Sequence, residues 1–202
     1  MLRPMTQGDL PSVAKLFCER LPASPLSQMG AAFVHDFLAG FIACPLGLAD
    51  VEHDGQRVLG FAIASTDSAA SFAWLRANRW AELEKHRAAA VTDRARGFWQ
   101  LLESGAHYHP QQLPEVAAEL LFVAVHWDKE GTRLAAGLVR RMLVELRDAG
   151  VVQVKVFIGL HNSPPQNMLW ALGFERREAF VQDGRELVGY VYYNLAQAPF
   201  LA

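Results

Sequence analysis

Cysteine is scarce in this chain of 202 residues, where Cys18 and Cys44 are the whole complement. Both lie among apolar neighbours, which reads as two buried free thiols rather than a disulfide, and so as a reduced, cytoplasmic setting. Long apolar runs are missing. The longest candidate, residues 31–48, contains His35 and Asp36 and is interrupted by Pro45, so a spanning helix and a membrane partner are not expected. The stretch Met1-Leu2-Arg3-Pro4-Met5-Thr6 lacks the apolar core of a secretory signal. A basic excess is missing as well: 19 Lys and Arg against 21 Asp and Glu leave a net charge of −2, which is no footprint for nucleic acid. Lysine is the scarcer cation, since 15 of those 19 basic residues are Arg. Arginine suits anionic ligands, but its spread along the chain reads equally as base composition, and the second reading is preferred. Gly-x-Ser-x-Gly, the Walker turn and His-Glu-x-x-His are all absent, which excludes serine-hydrolase, P-loop and zinc-protease chemistry. His107 and His109 form a His-x-His pair without adjacent cysteine or acidic ligands, so no metal is expected.

What is present is a globular composition, 51% hydrophobic and 20% charged, fitting one domain over residues 1–202. Leu2 to Met5 reads as a short strand. Thr6 or Asp9 caps a helix from about Leu10 to Arg20, with Pro11 in its first turn and a stripe of Val13, Leu16 and Phe17. A second helix, about Ser27 to Ile42, carries Phe33, Phe37, Leu38 and Phe41 at spacings of three and four. Two strand-like runs, 46–52 and 57–65, flank Asp54-Gly55, a hairpin signal. Residues 67–112 then read as a helical insertion. Ala73, Ala77, Trp80, Ala81, Ala88 and Val91 recur at helical spacing, and a second piece runs from about Thr92 to Leu102. Its aromatic and arginine residues suit an amphipathic helix pair covering one side of the domain; a binding-site wall or a homodimer contact is the next reading, and Glu82 and Glu84 argue against a membrane-surface helix. The hairpin pattern returns as 174–181 and 186–193 around Gln182-Asp183-Gly184-Arg185.

Between the insertion and that hairpin lies the most informative stretch. Glu119-Leu120-Leu121-Phe122-Val123-Ala124-Val125 is a buried-strand run, broken by Asp128 to Thr132. Arg133 to Asp148 has helical periodicity, Val152 to Ile158 is a second apolar run, and Asn162 precedes Gly173-Phe174. A strand whose exit turn opens a helix can offer backbone N–H groups and the helix dipole to a phosphate. The order of parts resembles the acetyl-CoA-binding half of the GNAT superfamily, the acyl-CoA-dependent N-acetyltransferases, and extends over nearly the whole chain. The resemblance implies a mixed α/β (α+β) fold: a central, mostly antiparallel sheet flanked by helices. It also implies acetyl-CoA as co-substrate and transfer to a primary amine of a small-molecule acceptor.

The same resemblance assigns the site. Val123, Ala124 and Val125 stand where family members splay two parallel strands to admit the pantetheine arm. Glu130-Gly131-Thr132-Arg133-Leu134-Ala135, continuing into Ala136, stands at the pyrophosphate turn, Arg/Gln-x-x-Gly-x-Gly/Ala in the family. Glu130 replaces the Arg or Gln and would repel a diphosphate; Arg133 replaces the central Gly. Two readings stay open there: Arg133 swings outward to the phosphates, or Glu130 and Arg133 bridge each other and close the slot. Asn162 matches a family asparagine that contacts cofactor, although Pro164-Pro165 after it is atypical. Glu119 stands where some members carry a general base, and burial would raise its pKa to a useful range; an exposed carboxylate at the strand start is the competing reading. The usual acid, a tyrosine before Gly-Phe, is Leu169 here with Trp170 beside it, so Tyr190 is the substitute acid, with Tyr192 and Tyr193 as alternatives. These departures leave a second function open: a degenerate relative that binds acyl-CoA or a partner without turnover.

Overall fold

The computed structural model describes residues 1–104, 113–182 and 184–198. Among the described residues seven strands form one sheet: β1 (Leu2–Pro4), β2 (Gly47–His53), β3 (Val58–Ser65), β4 (Ala118–Val125), β5 (Val154–Gly159), β6 (Glu175–Gln182) and β7 (Arg185–Tyr192). Their order is β1-β2-β3-β4-β5-β7-β6, and every neighbouring pair is antiparallel except β4 and β5. The expected mixed, mostly antiparallel sheet with flanking helices is what the chain forms.

One face of the sheet carries α1 (Leu10–Arg20), α2 (Pro25–Gln28), α3 (Ala31–Ala43) and the segment before β4, which folds as α4 (Ser68–Asn78), α5 (Trp80–Glu84) and α6 (Asp93–Ser104). The other face carries α7 (Leu134–Asp148) and α8 (Ser163–Ala171). The expected stripes of α1 and α3 are both buried, down to Phe17, Phe33, Phe37 and Phe41 at zero exposure. Those rings join Phe61, Phe72 and Phe98 in one aromatic core, with Phe17 stacked 5.8 Å from Phe61 and Phe33 edge-on 6.0 Å from Phe98. Aromatic pairs of this geometry add about 1 kcal/mol each beyond burial. Gly60 lets α7 lie close on β3: a Cβ there would meet Leu134 Cδ2 at 2.8 Å and the Ala124 carbonyl at 3.0 Å.

The expected helix over 27–42 is two pieces. Ser27 belongs to α2, and Gly30, at φ +90°, turns the chain before α3 starts at Ala31. The alanine stripe expected in residues 73–91 is also reversed. Ala73, Ala77, Ala81 and Ala88 face solvent, and Val91 is 67% exposed. Phe72, Leu75, Leu83, Phe98 and Leu102 are the buried face instead. A methyl group offers little apolar area, so the larger side chains decide which face turns inward. Cys18 and Cys44 are both free. Asp54 Oδ1 accepts from the amides of Gln56 and Arg57, both at 2.9 Å, and makes the first hairpin turn as expected. The His107–His109 pair and Asp183 of the second hairpin turn lie outside the described residues. Among the described residues no helix is long and apolar enough to cross a membrane, and no group of three His, Cys, Asp or Glu could hold a metal.

Candidate active site

β4 and β5 begin as neighbours and then part. Only Ala118↔Val154 and Glu119↔Lys155 are paired, although β4 runs six residues further, to Val125, and β5 four, to Gly159. A wedge-shaped gap therefore opens towards the C-terminal ends of both strands. On its β4 side the polarity of the backbone can be assigned. His126 donates its amide to Leu59 on β3 at 2.7 Å, so alternation turns the N–H and C=O of Val123 and Val125 the other way, into the gap. On the β5 side the Leu160 amide donates to Glu186 on β7 at 2.9 Å, which points the backbone groups of Phe157 and Gly159 into the gap. The Gly159 carbonyl is already occupied there, by the Asn162 amide at 2.9 Å and by Gln166 Nε2 at 3.0 Å.

At the wide end of the gap, the turn after β4 leads into α7. The Thr132 amide is bonded to the Lys129 carbonyl at 3.2 Å, and the Leu134 amide to Thr132 Oγ1 at 3.3 Å. The first backbone bond of the helix is Gly137 to the Arg133 carbonyl, 2.9 Å. That leaves the amides of Gly131, Arg133, Ala135 and Ala136 without a hydrogen-bond partner among the described residues. Gly131 sits at φ +72°, a conformation that favours glycine, and a Cβ built on Gly131 or Gly137 meets nothing within 4 Å. The corner is open, its amides are unspent, and the positive end of the helix dipole faces it.

Of the two arrangements expected for Glu130 and Arg133, the mutual bridge does not form. Glu130 pairs with Arg20, the last residue of α1, and not with Arg133. Arg133 is exposed and makes no ion pair among the described residues, so it stands available at the mouth of the turn. Arg20 neutralises the Glu130 carboxylate, which would oppose a diphosphate. Asn162 caps α8 at the facing end of β5 and has an exposed side chain.

The narrow end of the gap holds two buried charged side chains, Glu119 and Lys155. Glu119 is fully buried, which removes the competing reading of an exposed carboxylate. Beside it, across the last paired rung, is Lys155, 5% exposed, with Nζ donating to the Leu113 carbonyl at 3.1 Å. Burial pushes the Lys155 ammonium below its ordinary value, and the nearby Glu119 opposes that shift. Ser65 pairs with Glu119 from β3, and its hydroxyl lies 2.7 Å from that of Ser71 on α4. The sheet thus buries a polar patch beneath the start of α4. Sequence reading missed Lys155, whose signal is a single charge inside the alternation Val154-Lys155-Val156. It also missed Arg20, for which no local signal exists.

Tyr190 lies elsewhere. It occupies the opposite face of the sheet from Glu119, packed with α7 and α8, and its hydroxyl donates to Gln166 Oε1 at 3.0 Å. Gln166 in turn donates to the Gly159 and Leu160 carbonyls. The structure makes Tyr190 part of a chain that steadies the β5 wall of the gap, and does not bring it to Glu119. Tyr192 is also buried, which raises its phenol, and stacks edge-on with Phe174. Tyr193 faces the other way, under Arg177. Leu169, in the place of the usual tyrosine, is buried, while Trp170 beside it is exposed.

No protein-family model and no curated protein sequence matches this chain. Solved structures do. SsHAT shares 20% identity at a TM-score of 0.70, over 96% of this chain and 98% of its own. The ribosomal-protein-alanine N-acetyltransferase of Brucella melitensis shares 14% identity at 0.62, over 96% and 99%. The yncA protein of Salmonella typhimurium, solved with its cofactor acetyl-CoA, shares 14% at 0.60, over 96% and 92%. Such identities speak for architecture, and the splayed parallel pair, the open turn before α7 and the full-length superposition agree: this chain has the GNAT acetyltransferase fold.

Proposed function

We propose that the protein transfers an acetyl group from acetyl-CoA to the primary amine of a small molecule. The observation that carries this reading is the gap between β4 and β5, with the backbone groups of Val123 and Val125 turned into it and four unspent amides at its wide end. An extended arm of amides fits a strand edge of this kind as an added strand does. A diphosphate fits the amides of Gly131, Arg133, Ala135 and Ala136, with the Arg133 guanidinium beside them.

Acetyl-CoA, when bound, supplies an activated thioester. The residues of this chain do the rest. A gap-facing N–H of β4 can stabilise the carbonyl oxygen as it gains negative charge, and being held in place it costs no reorganisation. The amine must lose a proton to attack; the new C–N bond forms, the C–S bond breaks, and the thiolate takes up a proton on leaving. Glu119, buried at the narrow end with Lys155 across the rung, is the base in this reading. Tyr190 is the proposed acid; it would act only by giving up its bond to Gln166.

The direct test is calorimetric titration with acetyl-CoA, followed by thiol release across a panel of amines. Saturable binding and amine-dependent thiol release are expected. Failure to bind at millimolar acetyl-CoA overturns the reading. A second reading, binding of acyl-CoA without turnover, is favoured by Leu169 in the place of the tyrosine; it predicts binding with no thiol release from any amine.

A further inference from the structure

On the face of the sheet opposite α7 there is a cavity of about 580 Å³, walled by Pro25 of α2, by one side of α6 from Asp93 to Ser104, and by Arg185 at the start of β7. The volume is within the range of small-molecule sites. Its position is fixed by the strand register. Leu187 pairs with Gly159, so Arg185 stands just past the C-terminal end of β5, at the wide end of the gap. Alternation puts Arg185 on the same face as Gly189, where a Cβ would meet Phe157 at 3.4 Å, and as Lys155. The cavity therefore lies on the sheet face that carries Lys155, past the C-terminal end of β5.

The charge of the lining is one-sided. Arg94 and Arg185 make no ion pair among the described residues. Asp93, the one acid in the wall, is paired with Arg96 at 2.5 Å, and Glu186 next to Arg185 is paired with His161 at 2.8 Å. Two guanidiniums that make no ion pair among the described residues, at the rim of a cavity also lined by Phe98, Leu101 and Gln100, are a fork for an oxyanion.

From this we infer that the acceptor is an amine that also carries an acid group, a carboxylate or a phosphonate, held by Arg94 and Arg185 while its amine reaches the gap. The inference rests on the transferase reading above. Register also bounds the shape of the acceptor. Arg185 lies two positions beyond Leu187, whose partner Gly159 is four beyond Lys155. At about 3.3 Å per residue that is roughly 20 Å of strand from the Glu119–Lys155 rung. Even with a long arginine side chain reaching back, amine and acid are well separated, as in an ω-amino acid and not an α-amino acid.

Matched amines test it: 6-aminohexanoate against hexylamine and 8-aminooctanoate against octylamine, each with wild type, Arg94→Gln, Arg185→Gln and Arg185→Lys. Thermal melts check that the variants fold. Wild type is expected to prefer the acid-bearing member, and each Gln variant to lower the ratio of kcat/KM for acid over neutral amine by about 10- to 100-fold, with partial return for Arg185→Lys. Equal kcat/KM for the paired amines in wild type overturns the inference and leaves the transferase reading standing. If acetyl-CoA binds and no amine releases thiol, the transferase reading fails. The cavity is then read by calorimetry with acetylated aminohexanoate: binding that needs both arginines upholds the anion site, and no binding overturns it.

Discussion

Arg20→Ala is predicted to weaken acetyl-CoA binding about fivefold while leaving the fold intact. Arg20 reaches from the end of α1 to Glu130, 110 residues away, at the mouth of the phosphate turn. The pair is open to solvent, with side chains 30% and 57% exposed, so its own contribution to stability is about 0–1 kcal/mol. Its effect falls on the ligand. Without Arg20, the Glu130 charge faces a diphosphate that carries two negative charges. At a separation of about 8 Å, Coulomb's law gives about 1 kcal/mol of repulsion for a dielectric constant of about 80 and about 4 kcal/mol for about 20. At physiological salt the Debye length is about 8 Å, which removes about two thirds of that. What remains is about 1 kcal/mol, or about fivefold in Kd. The assay is calorimetric titration of wild type, Arg20→Ala, Glu130→Gln and the double variant, at low and physiological salt. Glu130→Gln should bind more tightly than Arg20→Ala, the double variant should fall between them, and the differences should grow as salt falls. An Arg20→Ala loss that does not change with salt would refute the electrostatic account.

Three other expectations concern separate parts of the molecule. Glu119→Gln should lower kcat/KM for the amine about 100-fold and change its pH profile, with acetyl-CoA affinity unaltered; unchanged amine kinetics would remove Glu119 as base. Tyr190→Phe deletes one hydrogen bond to Gln166 and should cost about 1 kcal/mol of stability. A fall in kcat below tenfold would mark Tyr190 as a brace for the gap wall, and a fall beyond 100-fold with a lost alkaline limb would mark it as the acid. Asp9→Asn should destabilise the protein by about 2 kcal/mol at neutral pH, because Arg3 donates to both Asp9 oxygens, at 2.7 and 2.8 Å, and Thr6 adds its amide and hydroxyl. Those bonds, Arg3 first, hold the Asp9 carboxyl well below its ordinary value of 3.8. The stabilisation is thus fully present above that value and lost as pH falls beneath it. The variant's melting temperature should depend less on pH in acid, and an unchanged acid limb would count against the assignment.

Much of the site was legible because its determinants are local. The apolar run 119–125 marked the buried strand, the breaker run 128–132 placed the turn, helical periodicity placed α7, and the family resemblance set Val123 and Val125 at the gap. The parts that escaped depend on pairings between distant segments. Lys155 meets Glu119 only because β4 and β5 happen to share that rung, and Arg20 meets Glu130 only because α1 ends over the turn. The alanine stripe of residues 73–91 misled for a different reason: spacing counts residues, whereas burial weighs area, and Phe72 and Leu75 outweigh four methyl groups. Tyr190 was assigned a role by its type alone; its strand face and its bond to Gln166 are decided by the register of β5 with β7.

The seam between β4 and β5 makes this sheet close to a pair of slabs, β1 to β4 and β5 to β6, stitched by two rungs. A guest laid along the cleft would act as the missing stitches. In the free protein the inward amides of Val123 and Val125 should trade their hydrogens with water early, and the two slabs should loosen as separate units. Once the cleft is filled they should exchange late and melt together, so that the substrate completes the framework that receives it.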